Sequence, residues 1–180
     1  MSLHDVVTRR RSVRAYRPDA VADEQLDRIL EAMRLAPSAG NLQAFQVVVV
    51  RAADRRRALA QAAIGQGFLG EAPIVLVFFA DGPQAARRYG QRGVELYALQ
   101  DAAIAASYAQ LAAHDLGLGT VWVGAFRDAQ VSAVVAAPSH LLPVALLAIG
   151  HPAEQPAPTP RRALGELVHA EQFGGSPHQP

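Results

Sequence analysis

One helix constrains the fold more than any other segment. From Glu95 to Leu116, Leu96, Leu99, Ala103, Ala106 and Ala113 fall along one side. Tyr97, Ile104, Tyr108 and Leu111 fall along another. A helix that is apolar on most sides must be packed on most sides. It therefore sits at the centre of its fold, and its alanines let another helix approach closely. The expectation is that it forms a subunit interface; the alternative is the central helix of an ordinary monomer. Gln100, Asp101, Gln110, His114 and Asp115 exclude a membrane span here, and no other stretch reaches the ~20 apolar residues needed. Gly117 suits the residue just past the helix end.

A chain of 180 residues is long enough for one domain with a substantial core. Size scaling predicts about 8,000 Å² of surface when folded against about 28,000 Å² unfolded. A composition 51% hydrophobic and 18% charged excludes wholesale disorder. The net charge of +1 argues against a general nucleic-acid binder. There is no cysteine, which excludes disulfides, thiolate metal sites and a cysteine nucleophile. Every basic residue is arginine, so Schiff-base and P-loop lysine chemistry are also excluded. The N-terminus has no apolar segment and carries Asp5, so it makes a poor signal peptide, and a cytoplasmic setting is expected.

Around the long helix the pattern predicts an α+β order. Leu3, Val6, Val7 and Arg10 share one stripe of a first helix, which aims Arg10 at the core. A second helix, capped by Asp23, buries Leu26, Ile29, Leu30 and Met33. Residues 46–51, 73–80, 120–123 and 143–149 read as buried strands. Residues 52–64 read as a helix with Arg55, Arg56 and Arg57 outside, and 128–136 as a short helix. The glycine- and proline-bearing stretch 81–93 reads as a mobile connection. Four prolines between Pro152 and Pro160 predict an extended arm, with a helical turn or two at 163–168. The expected organisation is one domain over residues 1–170, including an arm from 151, and a frayed tail over 171–180.

Three places carry chemistry. Arg9, Arg10, Arg11, Arg14 and Arg17 stand within nine positions with no acid among them. With the Ser12 hydroxyl they suit a phosphate gripped bidentately; a solvated basic face and a weak RNA contact remain open. The loop from Pro37 to Gln43 offers Ser38, Asn41 and Gln43, which suit either a polyhydroxylated ligand or plain turn chemistry. Gly124 follows the apolar strand end Val121 to Val123, where backbone can approach a ligand closely. Gly117-Leu118-Gly119 is no dinucleotide fingerprint, because Trp122 stands where a third glycine is required. The six histidines show no metal spacing, no G-x-S-x-G occurs, and no acid–base pair stands out. If the chain is an enzyme, its reactive group is borrowed from a cofactor.

Taken in order, several segments resemble the nitroreductase-like FMN-dependent oxidoreductases, particularly the short members. They are Arg10-Arg11-Ser12-Val13-Arg14, Pro37-Ser38-Ala39-Gly40-Asn41-Leu42-Gln43, Asp101 to Ala106, Gly117 to Gly124, and Ile149-Gly150-His151-Pro152 followed by Arg161-Arg162. The resemblance runs from Leu3 to about His169. It implies an α+β fold with a central, mostly antiparallel sheet flanked by helices, built as an intertwined homodimer with FMN at the subunit interface. It implies NADH or NADPH as electron donor and a nitroaromatic, quinone or similar small-molecule acceptor, served in a ping-pong sequence. No catalytic side chain, metal, nucleic-acid or membrane partner is implied.

Position by position, Arg10, Ser12 and Arg14 match residues that hold the FMN phosphate and ribityl chain, with Arg11 contributing through its backbone. Pro37, Ser38, Ala39, Asn41 and Gln43 match the loop that reaches the flavin from the other subunit. Val123 and Gly124 match the backbone beside the ring. The arm over 151–170 is expected to cross to the partner subunit, bringing one of Arg161 and Arg162 back to the phosphate, Arg162 being the choice. Phe68, Tyr89, Tyr97 and Phe126 are candidates for the cleft wall. Ala44 and Phe45 stand where the family usually has proline and tryptophan. The alternative function is an FMN-binding protein without nicotinamide turnover; a basic-patch RNA adaptor is a third reading.

Overall fold

Two strands organise the structure, a computed structural model that describes residues 1–175. β2 (Ile74–Asp81) and β4 (Leu141–Gly150) pair antiparallel at the centre of a four-stranded sheet. β1 (Phe45–Val50) adds to the outer side of β2, and β3 (Gly119–Val123) to the outer side of β4. The order is β1-β2-β4-β3, and every ladder is antiparallel. The register slips between Phe78 and Phe79, which face Ala145 and Pro143, so Val144 is the extra residue of a bulge. Pro143 has no N–H to give the ladder, and a bulge beside it removes that demand.

The apolar runs of β2 and β4 lack alternation because both sheet faces are covered. Ile74, Leu76 and Phe78 point to one core with Ala145, Leu147 and Ile149. Val75, Val77 and Phe79 point to the other with Leu146 and Ala148. The first core lies under α2 (Asp23–Arg34) and α6 (Ala98–Asp115). The second lies under α3 (Ala53–Ala62), the single turn α4 (Phe68–Glu71) and α7 (Asp128–Val134).

The alanines of α6 do their packing inside the protomer. Ala105, Ala106, Ala109 and Ala113 are fully buried against α2 and the sheet. Tyr108, on the far side, stays exposed. Of the expected stripe, Ala106 and Ala113 are thus used up within the protomer, while Leu96, Leu99 and Ala103 stay half-buried. The helix ends as expected, on Gly117 at φ 78°.

Several expectations need correction. Residues 81–93 are not a loose connection: α5 spans Gly82–Arg92, followed by a wide turn over Gly93–Tyr97. Asp81 caps this helix, accepting the Gln84 N–H at 3.0 Å, and Pro83 sits in its first turn, where its missing N–H costs nothing. In α1 (Leu3–Arg9) only Val6 is buried, Leu3 and Val7 are exposed, and Arg10 lies just past the helix end. Ala22, not Asp23, occupies the N-cap of α2; its N–H is taken by Gln25 Oε1 at 3.2 Å. Arg56 does not point outward but donates to the carbonyls of Gly70 and Ala72. The arm after Pro152 is extended, with one short turn at Leu164–Glu166. No helix among the described residues is long and apolar enough to cross a membrane. Of the expected frayed tail, residues 176–180 lie outside the described residues.

Candidate functional site

The arginine-rich segment is drawn out straight by its hydrogen bonds. The Arg10 N–H closes α1 on Val6 O at 3.0 Å, and the backbone then extends. The Val13 N–H donates to Thr120 O at 2.9 Å, which lays residues 12 and 13 beside β3. Val13 is buried against that strand, so its neighbours Ser12 and Arg14 project the other way. The arm then returns along this segment. The Arg17 N–H donates to His151 O and the Ala153 N–H to Ala15 O, each at 2.9 Å. The Glu154 carboxylate accepts the N–H groups of Arg14, at 2.5 Å, and Ala15, at 3.1 Å.

Between the two strands of chain lies a cleft of about 410 Å³. Arg10, Arg11, Ser12, Arg14, Thr159 and Arg161 line it. Among the described residues, none of these four guanidinium groups has a carboxylate within ion-pair distance. Arg11 Nη1 donates at 2.8 Å to the carbonyls of Thr8 and Arg10, and Arg161 Nη1 donates at 2.7 Å to Thr159 Oγ1. The Arg14 guanidinium lies over the Phe68 ring, 5.9 Å from its centroid. Half-buried Arg10 is held below the usual arginine range, by burial first and then by the charges of Arg161 and Arg11. Four cations gathered around one space repel each other, and a dianion placed there removes that repulsion.

Of the other expected site residues, Arg162 stands apart from this cleft. Its Nε donates to Glu166 Oε2 at 3.0 Å, and Arg161 occupies the cleft instead. The loop from Pro37 to Gln43 contributes no residue to the cleft. It is a tight turn built on itself. Ser38 Oγ accepts the Gln43 N–H at 2.9 Å, and Gln43 Nε2 donates to Asn41 O at 2.7 Å. Gly40, Asn41 and Gln43 all have positive φ. Val123 is buried and Gly124 exposed at the end of β3, also outside the cleft. Phe68 and Phe126 pack on the second core; Tyr89 and Tyr97 meet edge to face with centroids 4.9 Å apart.

Two organising residues, Asp101 and Glu154, are given no role at the site by the sequence. Asp101, 2% exposed, reaches from α6 into the loop and accepts backbone N–H groups on both sides of it. A lone acid on the alanine face of a helix is a signal that could have found it. Glu154 has no such signal, since its role depends on the arm folding back over residues distant in sequence.

Comparison with known proteins gives the family of the chain. The sequence profile of the Nitroreductase family matches residues 7–67 and 61–151. The chain is 37% identical over 187 aligned positions to an NADH dehydrogenase of Thermus thermophilus, covering 89% of this chain and 91% of that protein. It is 36% identical to an FMN reductase [NAD(P)H] of Bacillus subtilis, covering 93% and 72% respectively. Among solved structures, the NADPH:FMN oxidoreductase of Vibrio harveyi, complexed with NAD+, superposes with a TM-score of 0.87 at 29% identity, covering 95% of this chain and 77% of that one. Matched along most of its length by the profile and nearly end to end by these relatives, the chain belongs to the Nitroreductase family.

Proposed function

We propose that this protein is an FMN-dependent oxidoreductase that draws on NADH or NADPH and reduces nitroaromatic, quinone or similar acceptors. The observation that carries the reading is the acid-free cleft of Arg10, Arg11, Arg14 and Arg161 with Ser12 at its wall. It fits the phosphate of FMN in charge and in donor chemistry: planar guanidinium forks match phosphate oxygens, and a hydroxyl adds one more donor. FMN, when bound, supplies the two-electron carrier that the side chains of this chain lack.

The chain's own groups bind and orient. Arg10, Arg11, Ser12, Arg14 and Arg161 hold the phosphate end, while Arg162 braces the arm through Glu166. The loop carrying Pro37, Ser38, Ala39, Asn41 and Gln43 is stiffened by Asp101 and meets the ring. The backbone at Val123 and Gly124 adds hydrogen-bonding groups beside it. The loop and the arginine cleft share no lining residue within one protomer, which supports a homodimer whose loop completes the partner's site. The arm stays on its own protomer as far as Arg161, against residues 14–17 and the cleft, so only the stretch beyond Arg161 is left to cross to the other subunit in this reading. A cysteine-free chain suits the cytoplasm. With FMN bound, what these groups would contribute is the positioning of donor and acceptor, worth up to about 7–11 kcal/mol in favourable cases.

The visible spectrum tests the proposal. The purified protein is expected to be yellow, or to become so with added FMN, and to be bleached anaerobically by NADH or NADPH. A colourless protein that refuses FMN overturns it. A yellow protein that neither donor bleaches replaces it with FMN binding without turnover.

A further inference from the structure

A second cationic cluster lies away from the arginine cleft, on α5 and the wide turn after it. Between Asp81 and Glu95 the chain carries Arg87, Arg88 and Arg92 and no acid. The Arg88 guanidinium lies over the Tyr89 ring at 5.6 Å, and that of Arg92 over Tyr97 at 5.4 Å. The two rings are locked edge to face. Arg92 Nε donates to Tyr97 Oη at 2.9 Å. Among the described residues neither guanidinium has an acidic partner; the nearby Glu95 accepts from Gln91 Nε2 at 2.5 Å. A guanidinium laid on a ring face is held in place while in-plane N–H groups stay available, in Arg92 those of the two terminal nitrogens, since its Nε is taken by Tyr97.

This cluster adjoins the Pro37–Gln43 loop. Gln84 Nε2 donates to Leu42 O at 3.1 Å. A Cβ added at Gly40 would stand 2.6 Å from Tyr89 Oη and 3.1 Å from Arg88 Nη1, so this part of α5 lies directly on the turn. The proposed function sets that turn at the flavin. The arginines are therefore beside the place where the nicotinamide donor must lie, yet they take no part in the cleft assigned to the FMN phosphate.

We propose that Arg88 and Arg92, framed by Tyr89 and Tyr97, seat the 2′-phosphate of NADPH; the inference rests on the FMN-oxidoreductase reading. Both arginines are exposed, so screening weakens any singly charged partner. The pyrophosphate of a dinucleotide carries one charge per phosphorus. A 2′-phosphomonoester carries nearly two, with three terminal oxygens for two guanidinium forks. The tyrosine pair adds an aromatic edge for the adenine. The seat thus favours NADPH over NADH.

The flavin-loaded protein is assayed with both donors, as wild type, Arg88→Ala, the double variant Arg88→Ala/Arg92→Ala, and Arg55→Ala as an exposed control on α3. The ratio of kcat/KM for NADPH to that for NADH is expected to fall roughly tenfold in Arg88→Ala, further in the double variant, and not in the control. A ratio unchanged in the double variant, or shifted equally by Arg55→Ala, overturns the proposal. Titration calorimetry reads the seat without turnover. Adenosine 2′,5′-bisphosphate is expected to bind wild type more tightly than 5′-AMP, with the difference lost in the double variant; equal binding by wild type overturns the seat. Absence of flavin or of bleaching fails the oxidoreductase reading, and the calorimetric comparison distinguishes that failure from failure of the seat.

Discussion

Asp101 Oδ1 accepts the backbone N–H of Ala39 at 2.9 Å, joining the buried face of α6 to the turn that the proposed function places at the flavin. Its second oxygen accepts the Ala44 N–H at 3.2 Å, so one carboxylate spans the loop from end to end. Removing it leaves two N–H groups and a cavity without partners. Asp101→Ala is expected to lose about 3 kcal/mol, since hydrogen bonds to a charged group contribute about 1.5–3 kcal/mol each. Asp101→Asn keeps one acceptor and should lose less than half of that. Urea melts of the three proteins decide it, and equal stability of all three removes the assigned role.

Glu154 holds the arm as Asp101 holds the loop. Its carboxylate accepts the Arg14 and Ala15 amides, beside the arginine cleft. In Glu154→Ala those two amides are expected to exchange with solvent roughly ten to a hundred times faster, while Glu154→Gln, which keeps an oxygen acceptor, changes them less. Mass-spectrometric hydrogen exchange over residues 10–17 reads this directly. Unchanged protection there would mean that the main-chain bonds at Ala15 and Arg17 pin the arm alone.

Arg14→Ala is expected to weaken FMN binding ten- to a hundredfold, the effect of one charge-assisted contact worth roughly 1.5–3 kcal/mol. Arg55→Ala, on the exposed side of α3, should leave it alone. Arg56→Ala differs from both. Its guanidinium satisfies the Gly70 and Ala72 carbonyls, and burial holds it below the usual arginine range. This variant should lose about 1–3 kcal/mol of stability with little effect on FMN affinity in the folded protein. Fluorescence titration with FMN, beside a thermal melt, separates the three.

Arg56 also marks where the sequence stops being readable. The β-branched and apolar runs of β1, β2 and β4 announced their strands, and the order of the elements followed. What a run cannot give is which tertiary carbonyl a long side chain will reach. The stretch 81–93 misled for a related reason: Gly82, Pro83 and Gly90 look like breakers, but an Asp81 cap and a proline in the first turn start a helix. At the site, Arg10, Arg11, Ser12 and Arg14 are close in sequence, and the cleft gathers them. Arg161 and Arg162 are adjacent and chemically identical, so only the path of the arm separates the one that lines the cleft from the one paired with Glu166.

His114 gives the fold a pH dependence set first by its burial and then by the arginines of the cleft. It lines a second cleft together with Arg9, Arg11 and Glu154, and its buried Nε2 has no hydrogen-bond partner among the described residues. Burial first, then the charges of Arg10 and Arg11, hold it below the ordinary histidine range, against a smaller opposing pull from Asp115. The unfolded chain therefore takes up this proton near pH 6.5, before the folded protein does. Stability is full above that pH and falls as pH drops toward the lower folded value. Asp5, Glu31 and Asp115 are also depressed, but from values of 3.8 to 4.5, so they act at more acid pH. Wild type should lose stability between pH 7 and pH 5, and His114→Gln should lose less. A phosphate held by Arg10 and Arg11 would cancel part of their charge, so the wild-type slope should be shallower with FMN bound. Denaturant unfolding at pH 7, 6 and 5, with and without FMN, measures all three slopes, and identical slopes in wild type and variant would place the proton uptake elsewhere.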